Sequence, residues 1–206
     1  MLRPFKNCCP RIFAGLLALV PVVCPAADQW NFETLMGELA EVSHARLEFA
    51  ETKKSIFLIV DTTIEGEMEY RAPDYIVKET LSPFKEKVTI DGEYMSIEKT
   101  PSSGKSETQI GVQNYSVDSH PLLKAAVESM RAMLAGNYGM INDNYDIDFQ
   151  GERENWSLSL TPLQPQIQEH IERLDLVGSD TMIAKVVTIQ ADGDITTLEL
   201  SYIFVN

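Results

Sequence analysis

Hydrophobic and polar residues alternate through the middle of the chain, which indicates consecutive antiparallel strands. Met68 and Tyr70 alternate with charged residues, the period-two pattern of a strand with one buried and one exposed face. Pro73 interrupts that strand, because proline cannot donate a hydrogen bond to a neighbouring strand. Asp91-Gly92 separates two further alternating runs and is a strong hairpin signal. We therefore predict a meander of strands between residues 66 and 97.

Helical periodicity replaces this alternation in two segments. Apolar residues of the segment 32–42 recur at helical spacing after Asn31, whose side chain suits an N-cap. The segment 121–135 carries the clearest stripe, and Gly136 after it suits a C-terminal cap. The apolar stripe of this second helix consists of Leu123, Ala126, Val127, Met130, Met133 and Leu134. The residues predicted on its opposite, solvent-facing side are Lys124, Glu128 and Arg131.

Further alternating stretches bring the predicted set to roughly ten or eleven strands. They comprise two strands between residues 43 and 60 and single strands at 107–112, 145–149, 156–160, 174–177, 182–189 and 195–204, with turns at 142–144, 165–171 and 192–194. Runs of strands with a helix between them favour one sheet, and a wide antiparallel sheet curls. The predicted fold class is therefore mainly β (α+β). It is a single curved antiparallel sheet that forms a half-open barrel, with helices covering its concave face.

The first 27 residues have the layout of a secretory signal peptide. Three basic residues precede an apolar run from Ile12 to Val23, and the small residues Ala26 and Ala27 precede the first polar region. The run is shorter than the about 20 apolar residues that a membrane-spanning helix needs. We therefore expect a cleavable signal peptide at 1–27, one domain at 28–206, and a periplasmic location.

Charge and cysteine content narrow the classes of function. The 206-residue chain has 17 basic and 31 acidic residues and a net charge of −14, which disfavours binding to nucleic acid or to anionic lipid headgroups. All three cysteines lie in the predicted signal peptide, so no disulfide or cysteine metal site is expected in the exported chain. His44, His120 and His170 lack metal-ligand spacing, and no nucleophile or phosphate-loop motif occurs. We expect no catalytic residue, no metal and no cofactor.

The order of several short motifs matches a known family. The motifs are Phe49-x-Glu51, Gly66-x-Met68-x-Tyr70-x-x-Pro73-Asp74, Asp91-Gly92, the capped helix that ends at Ala135-Gly136, Trp156-x-Leu158-x-Leu160-x-Pro162, and Asp192-Gly193-Asp194. In this order the chain, from about residue 28 to residue 206, resembles the LolA-like periplasmic lipoprotein carriers. The resemblance implies a half-open β-barrel with helices as a lid. It also implies a carrier for acylated cargo, with an inner-membrane donor complex and an outer-membrane acceptor.

The chain departs from that family pattern at two places. Lipoprotein carriers usually have a basic residue directly before the proline, whereas this chain has Ala72 there and Arg71 one residue earlier. A shift of one residue places a side chain on the other face of a strand. The chain also ends at Asn206, where the carriers usually continue with a further segment. Both departures indicate a divergent relative whose cargo could be a free lipid or another acylated molecule.

An apolar cavity between sheet and helix is the predicted binding site. Its expected lining is the inward-facing set of strand residues together with the helical stripe, in which Met130 and Met133 are flexible enough to fit varied ligands. The lining residues are Leu47, Phe49, Phe57, Met68, Tyr70, Ile76, Ile90, Met95, Leu158 and Leu160 in the strands, and Leu123, Val127, Met130, Met133 and Leu134 in the helix. Arg71 and Lys78 are the candidates for contact with a ligand headgroup.

Three functions stay open at this stage. The first is a monomeric periplasmic carrier that shuttles a lipid or lipoprotein between membranes. The second is a binding or sensing module for acylated ligands on the same fold. The third, which the residues favour least, is an enzyme that acts on lipids. Ordinary core packing is the alternative explanation for the apolar stripe itself.

Overall fold

An eleven-stranded antiparallel sheet and four helices make up the part of the chain that the structure, a computed structural model, describes: residues 30–55, 60–100, 111–119 and 121–206. The helices are α1 (Phe32–Leu39), α2 (Pro121–Leu134), α3 (Tyr138–Asn144) and α4 (Pro165–Gln168), and a 3-10 turn spans Val117–Ser119. The strands are β1 (His44–Lys54), β2 (Thr62–Arg71), β3 (Tyr75–Ser82), β4 (Glu86–Asp91), β5 (Tyr94–Lys99), β6 (Gly111–Ser116), β7 (Tyr145–Glu152), β8 (Asn155–Pro162), β9 (Ile171–Ser179), β10 (Met182–Gln190) and β11 (Ile195–Val205).

The sheet consists of two meanders joined at their first and last strands. Its strand order is β6-β5-β4-β3-β2-β1-β11-β10-β9-β8-β7. The β1–β11 pair forms the junction, and the backbone groups of His44 and Asn206 hydrogen-bond each other there at 2.9 and 3.0 Å. The prediction of one curved antiparallel sheet is confirmed, and its open edges fit a half-open barrel.

Two predicted turns of the first meander are present. β2 ends at Arg71 and β3 begins at Tyr75, so Pro73 lies in the connection between them. Gly92 adopts a φ of 53° between β4 and β5, a left-handed conformation that glycine adopts at little cost. Trp156 is 1% exposed and belongs to the core.

Both predicted helices form, and their ends follow their capping residues. The Asn31 side chain accepts a hydrogen bond from the Thr34 backbone N–H at 3.0 Å and starts α1. The helix ends at Leu39, three residues before the predicted end at Val42. The Val42 N–H bonds the Leu39 carbonyl in a turn instead of continuing the helix. α2 ends at Leu134, two residues before Gly136.

Helix α3 contradicts the predicted turn at residues 142–144. Its composition, rich in Gly, Asn and Asp, disfavours a helix. Burial outweighs that preference: Ile141 is 1% exposed, and the Asn137 side chain caps the helix by accepting a bond from the Met140 N–H at 3.1 Å.

Two strand boundaries also differ from the prediction. β1 is one continuous strand of 11 residues, and the second predicted strand of that region lies, apart from Val60, outside the described residues. β6 runs to Ser116 instead of ending at Val112, because pairing with β5 defines it and its polar sequence carries no alternation. Residues 107–110 of the predicted strand lie outside the described residues.

The buried side chains form two clusters on the same face of the sheet, which we call the helix-side face. The first cluster joins α1, α3 and the end of α2 to strands β7–β10; its members are Phe32, Leu35, Met36, Leu39, Ala132, Met133, Ile141, Tyr145, Trp156, Leu158, Leu160, Leu176 and Ile183. The second cluster joins the middle of α2 to strands β1–β4; its members are Ala45, Tyr70, Ile76, Ile90, Val117 and Val127.

Candidate functional site

Cross-strand pairing arranges the helix-side face of β1–β6 into successive rows, because residues directly opposite one another point to the same face. The first row consists of Tyr115, Met95, Ile90, Ile76, Tyr70 and Ala45. Four of these belong to the second cluster and are buried against α2, which contributes Val127 with Leu123, Met130 and Leu134 packed beside it. This row is the part of the face to which α2 is attached.

The second row is mainly apolar, apart from Gln113 and Lys78, and it is less buried than the first. It consists of Gln113, Ile97, Val88, Lys78, Met68, Leu47 and Tyr202. Ile97, Val88 and Met68 are half-buried, and neither buried cluster includes them. Leu47 is 8% exposed and also belongs to neither cluster. Partly accessible hydrocarbon therefore borders the row that α2 covers.

The third row carries a further pair of charged residues. It consists of Gly111, Lys99, Glu86, Thr80, Gly66, Phe49 and Leu200. Lys99 Nζ and Glu86 Oε2 form an ion pair of 2.8 Å, and this hydrogen-bonded carboxylate raises the pKa of Lys99. The helix-side face thus changes from apolar to polar over three rows.

Lys78 is the charged residue of the second row and lies between Val88 and Met68. Its ammonium group pairs with Glu51 and sits 4.8 Å from the centroid of the Phe49 ring. The two charged side chains are only 28% and 24% exposed, so the pair is partly removed from water. Lys78 therefore lies next to the apolar residues of the second row, and Glu51 balances its charge.

Arg131 connects α2 to two turns of the sheet. Its Nη2 donates hydrogen bonds to the carbonyl of Gly92, in the β4–β5 turn, and to the carbonyl of Asp74, in the β2–β3 turn, the latter at 3.4 Å. The Nε of Arg131 is buried without a hydrogen-bond partner, and so is the hydroxyl of Tyr70. Burial, with the nearby Asp74 charge, raises the pKa of Tyr70.

The sequence placed Arg131 on the solvent-facing side of α2, and this prediction is wrong. Arg131 is half-buried and lies four residues after Val127 and eight after Leu123, spacings that belong to the apolar stripe. The prediction assigned Arg131 to the solvent-facing side because the residue is charged. Its spacing along the helix indicated the side that faces the sheet. Glu51, Thr80 and Glu86 were also missed, because only strand register reveals which polar residues share a face.

The predicted lining residues divide between the two clusters and the rows. Met133, Leu158 and Leu160 lie in the first cluster, whereas the other four predicted α2 residues lie in or against the second. The predicted strand residues from Leu47 to Met95 occupy the three rows on the helix-side face. Phe57 lies outside the described residues.

Arg71 occupies the opposite face of the sheet. Its guanidinium bonds Glu69 at 2.7 and 2.9 Å and lies 5.3 Å from the centroid of the Tyr75 ring. The Arg71 hydrogen bond, together with a bond of 2.9 Å between Glu69 and His44, lowers the pKa of Glu69. Of the two predicted headgroup contacts, only Lys78 therefore shares a face with the apolar rows.

The helices line a separate, partly open pocket of about 430 Å³ that sequence reasoning did not anticipate. It lies between α2, α3 and α4, and its lining residues are Lys124, Ala125, Glu128, Ser129, Met140, Asn144, Gln164 and Ile167. Across the described ranges, no group of three or more His, Cys, Asp or Glu is arranged to hold a metal ion. In the same part of the chain, no helix is long and apolar enough to span a membrane.

A family model described as outer membrane lipoprotein carrier protein LolA-like matches residues 24–201. The chain belongs to the LolA-like family. No curated protein matches the sequence. LolA-like proteins are carriers or binding proteins rather than enzymes, so membership supports a role in binding lipid or lipoprotein in general.

The solved structures that align with this chain have low sequence identity to it. A LolA superfamily protein from Nitrosomonas europaea aligns over 84% of this LolA-like chain and 92% of its own, with 7% identity and a TM-score of 0.41. The MucA/MucB complex of Pseudomonas aeruginosa aligns over 85% of this chain and 56% of its own, with 14% identity and a TM-score of 0.44. A DUF1329 family protein from Desulfovibrio piger aligns over 82% of this chain and 88% of its own, with 9% identity and a TM-score of 0.32.

Proposed function

We propose that this LolA-like protein is a periplasmic carrier that binds the acyl chains of a lipid or lipoprotein and shuttles its cargo between membranes. The observation that supports this function best is the second row of the helix-side face. Ile97, Val88 and Met68 present half-buried hydrocarbon there, next to the row that α2 covers. An acyl chain that lies along this row rests on the sheet and runs beside the row that α2 covers.

The energy of such binding determines how cargo leaves. Burying one methylene group stabilises a complex by about 0.8 kcal/mol, so a chain of about 15 methylenes gains roughly 12 kcal/mol before the cost of opening the site. Spontaneous release into water would then be slow. A donor in the inner membrane and an acceptor in the outer membrane must therefore change the site itself.

Helix α2 is the element that this mechanism moves. Its middle packs on the first row through Val127, and Arg131 attaches it to the turns at Asp74 and Gly92. Cargo contacts the accessible second row first, and it enters further when α2 separates from the first row and exposes it. Lys78 then meets the polar part of the cargo, while Glu51 keeps the empty site electrically neutral.

A charge introduced into the second row tests this function. Met68→Glu places a carboxylate beside the bound acyl chain, so we expect at least a tenfold weaker affinity for a fluorescent fatty acid and a matching loss of transfer between vesicles. The matched control is Val187→Glu, which introduces the same carboxylate at a half-buried residue of the opposite face. Circular dichroism establishes that both variants fold.

The outcomes separate the candidate functions. Normal binding and transfer by folded Met68→Glu would overturn the proposed site. Tight, Met68-dependent binding without transfer to acceptor vesicles would contradict the carrier function and favour a sensing module.

A further inference from the structure

Within the described residues, every charged side chain that strand register places on the helix-side face of β1–β6 is in an ion pair. The pairs are Glu51–Lys78, Glu86–Lys99 and Lys53–Asp194, where Asp194 belongs to the turn before β11. The charges on this face therefore cancel, although the whole chain has a net charge of −14. The proposed acyl site thus lies on an electrically balanced face of an acidic protein.

The Glu51–Lys78 pair differs from the other two in its exposure and in its neighbours. Its side chains are 24% and 28% exposed, whereas the lysines of the other pairs are 65% and 47% exposed. Lys78 stands between Val88 and Met68 in the second row, and its ammonium lies over the Phe49 ring. Apolar side chains of the second row therefore flank this pair, and the polar end of a ligand bound along that row meets it.

A partly buried ion pair discriminates between headgroups by their charge. Removing one partner of such a pair leaves the other charge uncompensated, which is costly away from water. An anionic headgroup that binds Lys78 leaves Glu51 without its partner, and a cationic headgroup that binds Glu51 does the same to Lys78. A headgroup that carries both charges replaces each partner and leaves neither side chain unpaired.

We propose that the Glu51–Lys78 pair selects cargo with a zwitterionic headgroup of the phosphoethanolamine class. Lys78 binds the phosphate, and the primary ammonium of the headgroup donates hydrogen bonds to the Glu51 carboxylate. A choline headgroup suits the site less well, because a trimethylammonium group has no N–H to donate. The inference rests on the proposed function, since an acyl chain on the second row brings the headgroup to this pair, and it adds the chemical class of the cargo.

Competition between lipids that share one acyl chain tests this selectivity on the full protein. Each lipid displaces a bound fluorescent fatty acid, so the acyl contribution is the same throughout. We expect lysophosphatidylethanolamine to compete at about tenfold lower concentration than lysophosphatidylglycerol or monoacylglycerol, and at a lower concentration than lysophosphatidylcholine. Free glycerophosphoethanolamine should not compete, because it lacks the hydrocarbon that supplies most of the affinity.

A substitution in the pair should change the preference between headgroups. Glu51→Gln removes the carboxylate and leaves Lys78 free for a phosphate, so the advantage of the ethanolamine lipid over the glycerol lipid should fall about tenfold. The matched control is Glu67→Gln, which removes the same charge from an ion pair with Arg46 on the opposite face and should leave the preference unchanged. Because each preference is a ratio measured within one variant, a general loss of stability does not imitate the effect.

The outcomes separate this inference from the proposed function. Equal competition by all the lipids, or an unchanged preference in Glu51→Gln, would overturn the inference while fatty-acid binding still supports the acyl site. Competition by glycerophosphoethanolamine at the concentration of the lipid would also overturn it, because a soluble phosphoethanolamine compound would then be the ligand. If the fluorescent fatty acid itself fails to bind, the proposed function falls, and the inference falls with it.

Discussion

Gly66 shows at the scale of one residue how the sheet accommodates the aromatic ring beside Lys78. A Cβ at this position would overlap the Glu79 carbonyl oxygen and lie 2.9 Å from Cε1 of the Phe49 ring. Gly66→Ala must therefore displace either the backbone of β3 or the Phe49 ring, and overpacking of this kind costs about 1–3 kcal/mol. We expect that loss in the free energy of unfolding, measured by urea denaturation.

Gly37 provides the control for this prediction. It lies in α1, and a Cβ there would meet no atom within 4 Å. Gly37→Ala should stabilise the protein by about 0.5–1 kcal/mol, because alanine favours a helix more than glycine does. Equal stabilities for the two alanine variants would contradict the close packing of Phe49 on Gly66.

At the scale of the element, α2 is attached to the sheet by apolar packing and by Arg131. Arg131→Met retains an apolar side chain of similar reach but removes the bonds to the Asp74 and Gly92 carbonyls. A hydrogen bond contributes about 1 kcal/mol and one from a charged group more, so we expect loading of a fluorescent fatty acid to accelerate about fivefold or more. Stopped-flow fluorescence measures this rate, and Lys124→Met on the exposed side of α2 is the control.

The converse change should arrest the helix. In a protein with Asp74→Cys and Arg131→Cys, a short bismaleimide joins α2 to the β2–β3 turn. Loading should be fast before the cross-link and absent after it. Unchanged loading in the cross-linked protein would refute the movement of α2.

Element-scale features also show what the sequence predicts well and what it does not. Local patterns predict the strand that contains Met68 and Tyr70, and they predict the turns at Pro73 and Gly92. Those predictions are confirmed. Helix α3 depends on burial of Ile141 by distant strands, which no local pattern reports. The Glu51–Lys78 pair likewise depends on the register across three strands.

At the scale of the whole molecule, the side chains are buried in two separate clusters, and we expect the parts that they hold to differ in stability. The first cluster joins three helices to four strands, whereas the second depends on one face of α2. We expect amides in the first half of α2 to exchange through an opening that costs less free energy than global unfolding. Native-state hydrogen exchange in denaturant measures both free energies.

Truncations in the two clusters distinguish these openings. Leu35→Ala in the first cluster should lower the global free energy of unfolding by about 2–5 kcal/mol. Val127→Ala in the second should ease the opening of α2 while leaving the exchange of β8 amides nearly unchanged. A uniform change of all protected amides in Val127→Ala would show that the two parts unfold as one.

Gly136 limits the direction in which α2 can swing. With a φ of 63°, its backbone fits so closely against the end of α1 that a Cβ would overlap the Met36 carbonyl and Ala40. The following Asn137 N–H also bonds the Ala132 carbonyl at 2.7 Å. In the movement that we propose, the C-terminal end of α2 is therefore the pivot, and the end near Leu123 travels furthest. A hydrocarbon tail would therefore enter tip first beneath the Leu123 end and advance toward the fixed end.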